Sequence, residues 1–242
     1  MRHAAGALYL IPVSLGPGDP AAVLPPATLA VLRGLRRFIA ESPKAARGFL
    51  KSAGHPLPLQ ELTIETLDEH TPADRLTALL DPALAGEDCG LISEAGCPAV
   101  ADPGAELVRL AHARGVRVIP LVGPSAILLA LMGSGLNGQR FAFHGYLPVE
   151  SAPLRRRLRE LEDDAARTGA TQVFIETPYR NAAMLKTILE AGRGDTLLSI
   201  ATDLTLPGES IATRTIAEWK KEAPAIDRRP TVFALLRGKA PR

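Results

Sequence analysis

Three observations predict an α/β protein of two domains, the first built on a mostly parallel open sheet and the second on a mixed sheet. Through the first half, short apolar runs alternate with amphipathic stretches. Cys89-Gly90-Leu91-Ile92 is followed by Ala105-Glu106-Leu107-Val108-Arg109-Leu110 and then by Val116-Arg117-Val118-Ile119-Pro120-Leu121. Strand, helix and strand in that order make a parallel, right-handed unit. Beyond residue 122 the strand signals become more frequent and their links shorter, which suits a mixed sheet. Finally, 242 residues of which 46% are hydrophobic suffice for one large core or two small ones. The expected boundary leaves residues 1–122 in the first domain and 123–242 in the second.

Residues 7–15 are an apolar run that ends in Gly16-Pro17-Gly18-Asp19-Pro20, a buried strand followed by a turn. Residues 28–36 have helical spacing, and 37–41 form a short strand closing on an acid. A helix is expected over 43–51, with Gly54 just past its end. Residues 56–68 read as irregular chain or a short strand, 74–84 as a helix and 90–93 as a strand. Asp102 is the expected cap of the next helix, with Pro103 at its first position and Gly115 at its end. Residues 116–121 are the following strand. In the second half, Gly123-Pro124-Ser125 starts a helix reaching about Met132. Residues 152–167 form a helix that is basic, then acidic. Strands are expected over 140–146, 172–176, 197–201, 209–213 and 231–236, with a helix over 181–191 among them.

A net charge of +2 neither requires nor excludes a nucleic-acid partner, because a basic patch can sit within a near-neutral total. Cys89 and Cys97 make no CxxC motif, and none of the five histidines pairs at i, i+4, so no metal is expected. Both cysteines read as small packing residues. The apolar stretch of the opening MRHAAGALYLIPVSLG is short and broken by Pro12, so the segment reads as a first core strand and not as a leader. No run of about 18 apolar residues is present. No membrane span is expected, and the cytoplasm is the default location.

In open α/β sheets ligands bind outside the carboxyl ends of the strands. Many strand ends here are rich in Gly, Pro or acids: 16–20, Glu41, SEAGCPAVADPG at 93–104, 123–125, 145–148, 176–180 and 203–209. So many point to a large crevice between two domains. Gly16-Pro17-Gly18-Asp19-Pro20-Ala21 matches GxGxxA, with Glu41 following at the distance of a dinucleotide fingerprint. That fingerprint must open a helix, which Pro20, Pro25 and Pro26 would break, so a nicotinamide or flavin dinucleotide is not expected. In FIETPYR, Glu176 and Arg180 are either a proton acceptor beside an anion anchor or a helix-cap ion pair. Arg155, Arg156, Arg157 and Arg159, and Arg33, Arg36 and Arg37, form basic clusters. They read as phosphate contacts or, for the first cluster, as a solvated face balanced by Glu160, Glu162, Asp163 and Asp164. Aromatic residues make up only 4%, so no sheet of exposed aromatics for RNA is evident.

SEAGCPAVADPG, VRVIPLVGPSA, FAFHGYLP and FIETPYR follow one another in an order and spacing that resemble the tetrapyrrole-methylase superfamily, the class III S-adenosylmethionine-dependent methyltransferases. Within it the chain is most similar to the branch that methylates a ribose 2′-hydroxyl of small-subunit ribosomal RNA. The resemblance runs from LYLIPVSLG to the last strand. It implies two α/β domains with the cofactor cleft between them, the first domain also on the substrate side and the second on the cofactor side. It further implies a homodimer, S-adenosylmethionine as cofactor, no metal, and ribosomal RNA or the small ribosomal subunit as partner. Carried over by motif, Gly16 lies in the first cofactor-side loop, and Ser93, Glu94, Ala95, Gly96 and Pro98 form the second. Ser125 and Ala126 lie at a helix start facing the cofactor, and Tyr179, Leu204 and Thr205 on the second domain's side. Glu94, Glu176 and Arg180 are the catalytic candidates, either carboxylate serving as proton acceptor or hydroxyl anchor, while Arg180 and Lys44 would hold a substrate phosphate.

The chain departs from the RNA branch at four places. Val13-Ser14 stand where the branch has Thr-Pro, and Glu41-Ser42-Pro43-Lys44 where it has acid-acid-Thr-Arg. Tyr179 replaces a His, and Thr202-Asp203-Leu204-Thr205-Leu206 replaces Arg-Glu-Leu-Thr-Lys. The first loop's Gly-Pro-Gly-Asp is closer to the tetrapyrrole enzymes. Two alternatives stand beside the RNA reading: a methyltransferase acting on a tetrapyrrole or other small molecule, and a non-catalytic ligand-binding protein of the same fold.

Overall fold

The computed structural model describes residues 5–238. Residues 1–4, the start of the segment read as strand and not leader, lie outside the described residues, as do 239–242. The chain divides into two compact units after Ser125, where the sequence reading put the boundary at residue 122.

The first unit holds a five-stranded sheet in the order β3-β2-β4-β1-β5, all parallel. Its strands are β1 (Ala7–Ile11), β2 (Arg37–Ala40), β3 (Thr63–Thr66), β4 (Cys89–Ile92) and β5 (Arg117–Pro120). The central β4 is buried along its whole length, as a strand covered on both faces must be. Alternate side chains of each strand feed opposite faces. On one face Ile11 and Phe38 meet Leu32 of α1 (Pro26–Gly34) and Leu50 of α2 (Pro43–Ser52). On the other, Leu8 and Ile39 meet Leu79 of α3 (Ala73–Leu84) and Leu107 of α4 (Ala105–Ala113). Gly90 lets the first of these faces close. A Cβ there would stand 2.6 Å from Ile11 Cδ1 and 3.0 Å from Phe38 Cδ1.

Two local expectations are corrected. Asp102 does not cap α4, and Pro103 is not its first residue. The helix begins at Ala105 after Gly104, whose φ of 124° is closed to most residues with a Cβ. Asp102 instead accepts the backbone N–H of Glu94. As the sequence predicts, no helix opens at the glycines after β1. A short 3-10 turn, Pro20–Ala22, follows them, and α1 waits until Pro26, as the prolines dictate.

The second unit holds a mixed five-stranded sheet, β6-β7-β10-β8-β9. β6 (Phe141–Tyr146) and β7 (Thr171–Ile175) are parallel. β10 (Thr231–Leu236) runs antiparallel to both β7 and β8 (Leu197–Thr202), and β9 (Ser210–Thr215) antiparallel to β8. The buried centre stacks Phe174 on Phe233, with ring centroids 5.6 Å apart. Around it stand α5 (Ala126–Ser134), α6 (Ser151–Thr168), α7 (Asn181–Ala191) and the short α8 (Ile216–Trp219), which opens on a Thr215–Glu218 capping box. Helix α6 buries Leu154, Leu158, Leu161 and Ala165, one helical stripe, and ends at Gly169 in the left-handed region. Among the described residues no helix is long and apolar enough to cross a membrane.

These directions decide where loops gather. All five carboxyl ends of the first sheet lie at one edge. In the second, β6, β7 and β8 point the same way, so the segments after Tyr146, Ile175 and Thr202 also share an edge.

Candidate active site

In the first unit the loops after β1 and β4 are fastened to each other. The Val13 N–H donates to the Gly96 carbonyl at 2.9 Å, a single antiparallel bridge. The buried Ser93 Oγ donates to the same carbonyl at 2.7 Å. The Cys97 thiol donates to the Pro124 carbonyl at 3.5 Å, tying in the segment after β5. Gly96 sits at φ 72°, and a Cβ on it would press Leu15 Cδ2 at 3.3 Å. Gly16, Ser93, Glu94 and Ala95 line one cavity of about 300 Å³, with Gly96 and Pro98 buried behind them. The rest of the loop is strained, because Ala99 and Ala101 adopt φ values of 63° and 55°. Each costs about 1–2 kcal/mol, and such geometry persists only where the surroundings over-determine it.

Three carboxylates act on one another at neighbouring strand ends. Asp102 is pushed up to about 7, first by burial and then by the charges on Glu41 and Glu94. Glu41 is raised by burial first and then by Glu94, Glu69 and Asp68. The sequence reading assigned Asp102 to a helix cap and did not join it to Glu41. The missing signal was the strand order, which sets β2 beside β4. Lys44 lies exposed in the first turn of α2, and Ser125 and Ala126 are half-buried where α5 begins.

In the second unit Glu176 follows β7 with its side chain only 3% exposed. Its Oε1 accepts the Thr177 N–H at 2.8 Å and the Thr177 hydroxyl at 3.2 Å. Its Oε2 lies 3.2 Å from Arg180 Nη2, an ion pair that falls outside hydrogen-bond geometry. The two side chains thus form an ion pair, and no side-chain cap hydrogen bond is made at the start of α7. Tyr179 stands 70% exposed beside it. Leu204 and Thr205 lie past β8 at the same sheet edge. The Leu204 side chain is buried, and the Thr205 N–H donates to Glu209 at 2.7 Å. Asp203 and Thr205 both have positive φ. Arg229, which the sequence reading missed, holds this turn through Asp203 Oδ2 at 2.8 Å and the Gly208 carbonyl at 2.6 Å.

Most arginines of the two clusters are tied into the fold. Arg155 pairs with Glu190, and Arg157 with Glu160 at 3.1 Å and His144 Nδ1 at 3.1 Å. Arg156 reaches Glu160 at 3.7 Å. Arg37 pairs with Glu87 and Glu65, and Arg33 donates to the Ala53 carbonyl. Of the acids expected to balance the 155–159 cluster, Glu160 does so, joined by Glu190; Glu162 is buried and accepts from Thr196 and the Arg193 N–H, Asp163 pairs with Arg193 and Asp164 with Arg167.

A profile of the Tetrapyrrole (Corrin/Porphyrin) Methylases matches residues 9–220. The ribosomal RNA small subunit methyltransferase I of Pseudomonas aeruginosa is 31% identical over 214 residues, 88% of this chain and 72% of that protein. The protein of the same name in Xylella fastidiosa is 34% identical over 213 residues, 88% of this chain and 73% of that one. Among solved structures, the methyltransferase CobJ is similar with a TM-score of 0.63 and 23% identity, over 98% of this chain and 97% of that chain. Uroporphyrin III C-methyl transferase from Thermus thermophilus gives a TM-score of 0.56 and 20% identity over 96% and 97%. These two likenesses show the shared fold of two α/β domains.

Proposed function

We propose, from the premise that the chain belongs to the tetrapyrrole (corrin/porphyrin) methylase family and is a methyltransferase, that it moves a methyl group from S-adenosylmethionine to a ribose 2′-hydroxyl of small-subunit ribosomal RNA. The observation that carries the substrate is the 31% and 34% identity, over 88% of the chain, to proteins named ribosomal RNA small subunit methyltransferase I.

Two features of the first unit fit the donor. Gly16, Ser93 and Ala95 make a wall without bulk, where backbone can approach a ligand at strand ends. Glu41, Glu94 and Asp102 give that rim a negative field, which suits a sulfonium cation. S-adenosylmethionine, when bound, supplies a methyl group already activated for transfer. The chain's task is then to position the acceptor and keep water out. Glu94, exposed at the cavity, accepts the hydrogen bond or proton of the ribose hydroxyl. Glu176 is engaged by Thr177 and aims Arg180 as a phosphate contact of the second unit, and Lys44 is the corresponding candidate of the first. Ser125 and Ala126 at the start of α5, and Tyr179 and the backbone of Leu204 and Thr205 past β7 and β8, are each assigned to the donor by the family resemblance.

A homodimer follows from the same reading. Helix α5, AILLALMGS, is apolar on every side and leaves Met132 78% and Leu128 51% exposed, a face for a second copy to cover. A ribosomal substrate goes with a cytoplasmic location. The test is transfer of labelled methyl to purified small subunits from cells lacking the methylase, to naked ribosomal RNA and to a porphyrinoid. Label on the subunits, found by digestion as a 2′-O-methyl nucleoside, is expected; label on the porphyrinoid alone refutes the reading.

A further inference from the structure

We propose that the solvent face of α2 is a docking surface for the sugar–phosphate backbone of single-stranded RNA, carried by Lys44, Arg47 and Lys51. This rests on the RNA reading above and names where the polymer is held outside the reacting nucleotide.

Positive charge is concentrated in one segment. Residues 20–60 contain six lysines or arginines and one acid, Glu41, whereas the whole chain is only +2. That surplus is larger than the whole chain's, so the remaining residues are together acidic. Within the segment, α2 carries no acid. A helix turns about 100° per residue, which divides the surface of α2 three ways. Ala46 and Leu50 face the core, and Ala45, Phe49 and Ser52 face the cavity. Lys44, Arg47 and Lys51 recur at helical spacing on the side left over, all exposed. They make no ion pair among the described residues. Helix α6 is the contrast, because Arg155, Arg156 and Arg157 there each face a carboxylate. Arg33, which donates to the Ala53 carbonyl where α2 ends, extends the basic stripe.

Two residues of α2 run against the helix's own stability. Lys44 stands in the first turn, where the helix dipole favours an acid. Gly48 stands mid-helix, where glycine is less favourable than alanine. Packing within the chain does not explain it, because a Cβ there would meet no atom within 4 Å. By helical angle Gly48 lies between the basic stripe and the cavity face, and it leaves bare backbone for a partner to lie across. The charge names the partner. Cations in a line neutralise successive phosphates without reading sequence. A membrane fits less well, since residues 20–60 expose no large apolar side chain to enter a bilayer.

The assay is fluorescence anisotropy of a short labelled single-stranded RNA with the whole protein, from about 50 to about 200 mM salt. Each phosphate contact contributes about 0.7 to the fall of log affinity with log salt on a single strand. Arg47→Ala combined with Lys51→Ala should therefore reduce that slope by about 1.4 and weaken binding at about 50 mM salt about tenfold or more. Replacing Arg155, Arg156 and Arg157 with alanine removes one charge more and should leave the slope as it is. Gly48→Leu should raise the urea midpoint yet weaken RNA binding with the slope kept, because it adds bulk and removes no charge. No RNA binding by the wild type, an unchanged slope in the α2 double variant, an equal fall in the α6 variant, or wild-type affinity in Gly48→Leu overturns the proposal. Displacement of the RNA by phosphatidylserine vesicles or by polyglutamate at matched charge overturns it too, and assigns the face to a membrane or an acidic protein. A wild type that binds RNA through α2 yet methylates none overturns the function proposed above and leaves this surface standing.

Discussion

Asp102→Asn should make the protein more stable at pH 8 and leave it nearly unchanged at pH 4. In the folded chain the Asp102 carboxyl is pushed from its ordinary 3.8 up to about 7, by burial first and then by Glu41 and Glu94. Between those values the unfolded chain has released the proton and the folded chain has kept it. Folding therefore becomes less favourable as pH rises through this window, with the full penalty present above about 7 and none below 3.8. A shift of that size corresponds to about 4 kcal/mol at full strength. Asp102 is only half-buried, and solvent screens its repulsion, so about 1–2 kcal/mol is the expected gain. Asparagine keeps an acceptor for the Glu94 N–H. Urea unfolding of both proteins at intervals from pH 4 to pH 8 measures the difference. A gain that does not vary with pH, or a variant less stable at pH 8, would refute the carboxylate cluster as described.

The same substitution at pH 8 should weaken binding of S-adenosylmethionine more than that of S-adenosylhomocysteine, which lacks the sulfonium charge; parallel calorimetry decides whether the cluster serves the donor. Gly90→Val should cost about 2–3 kcal/mol in denaturant, because its Cβ would stand 2.6 Å from Ile11 Cδ1 in a closed core. Arg180→Met should cost about 3 kcal/mol by leaving the Glu176 carboxylate buried and unpaired, and adding Glu176→Gln should restore part of it; additive losses would deny the pair. The Cys89 thiol, pushed up to about 12 chiefly by burial, should resist iodoacetamide at pH 8 in the folded protein and react once unfolded, as peptide mass mapping would show. Replacing Arg155, Arg156 and Arg157 with alanine should change RNA affinity little even at low salt, since each already faces a carboxylate of its own chain; a large loss in a filter-binding titration would contradict that.

Much of the fold was legible along the chain. Cys89-Gly90-Leu91-Ile92 is a short apolar run bounded by turn-forming residues, and it is a strand. The stripe Leu154, Leu158, Leu161 recurs at helical spacing, and it is the buried face of α6. SEAGCPAVADPG was marked by its small residues as a strand-end loop that lets a ligand near the backbone, and it follows β4. Where the local reading failed, a backbone state was responsible: Gly104 at φ 124° delays α4 beyond Asp102.

What the sequence by itself determined was the period of each element and the chemistry available at each strand end, because both depend on residues a few positions apart. Which of those ends meet was decided by the tertiary structure. The order β3-β2-β4-β1-β5 brings Glu41 within range of Glu94 and Asp102, and the bridge from Val13 to Gly96 fastens the loop after β1 to the loop after β4. In the second unit Arg229 reaches back to fasten Asp203. Charge repulsion, hydrogen bonding and ion pairing act through distance in space, and between residues far apart in sequence that distance exists only once the sheets have formed.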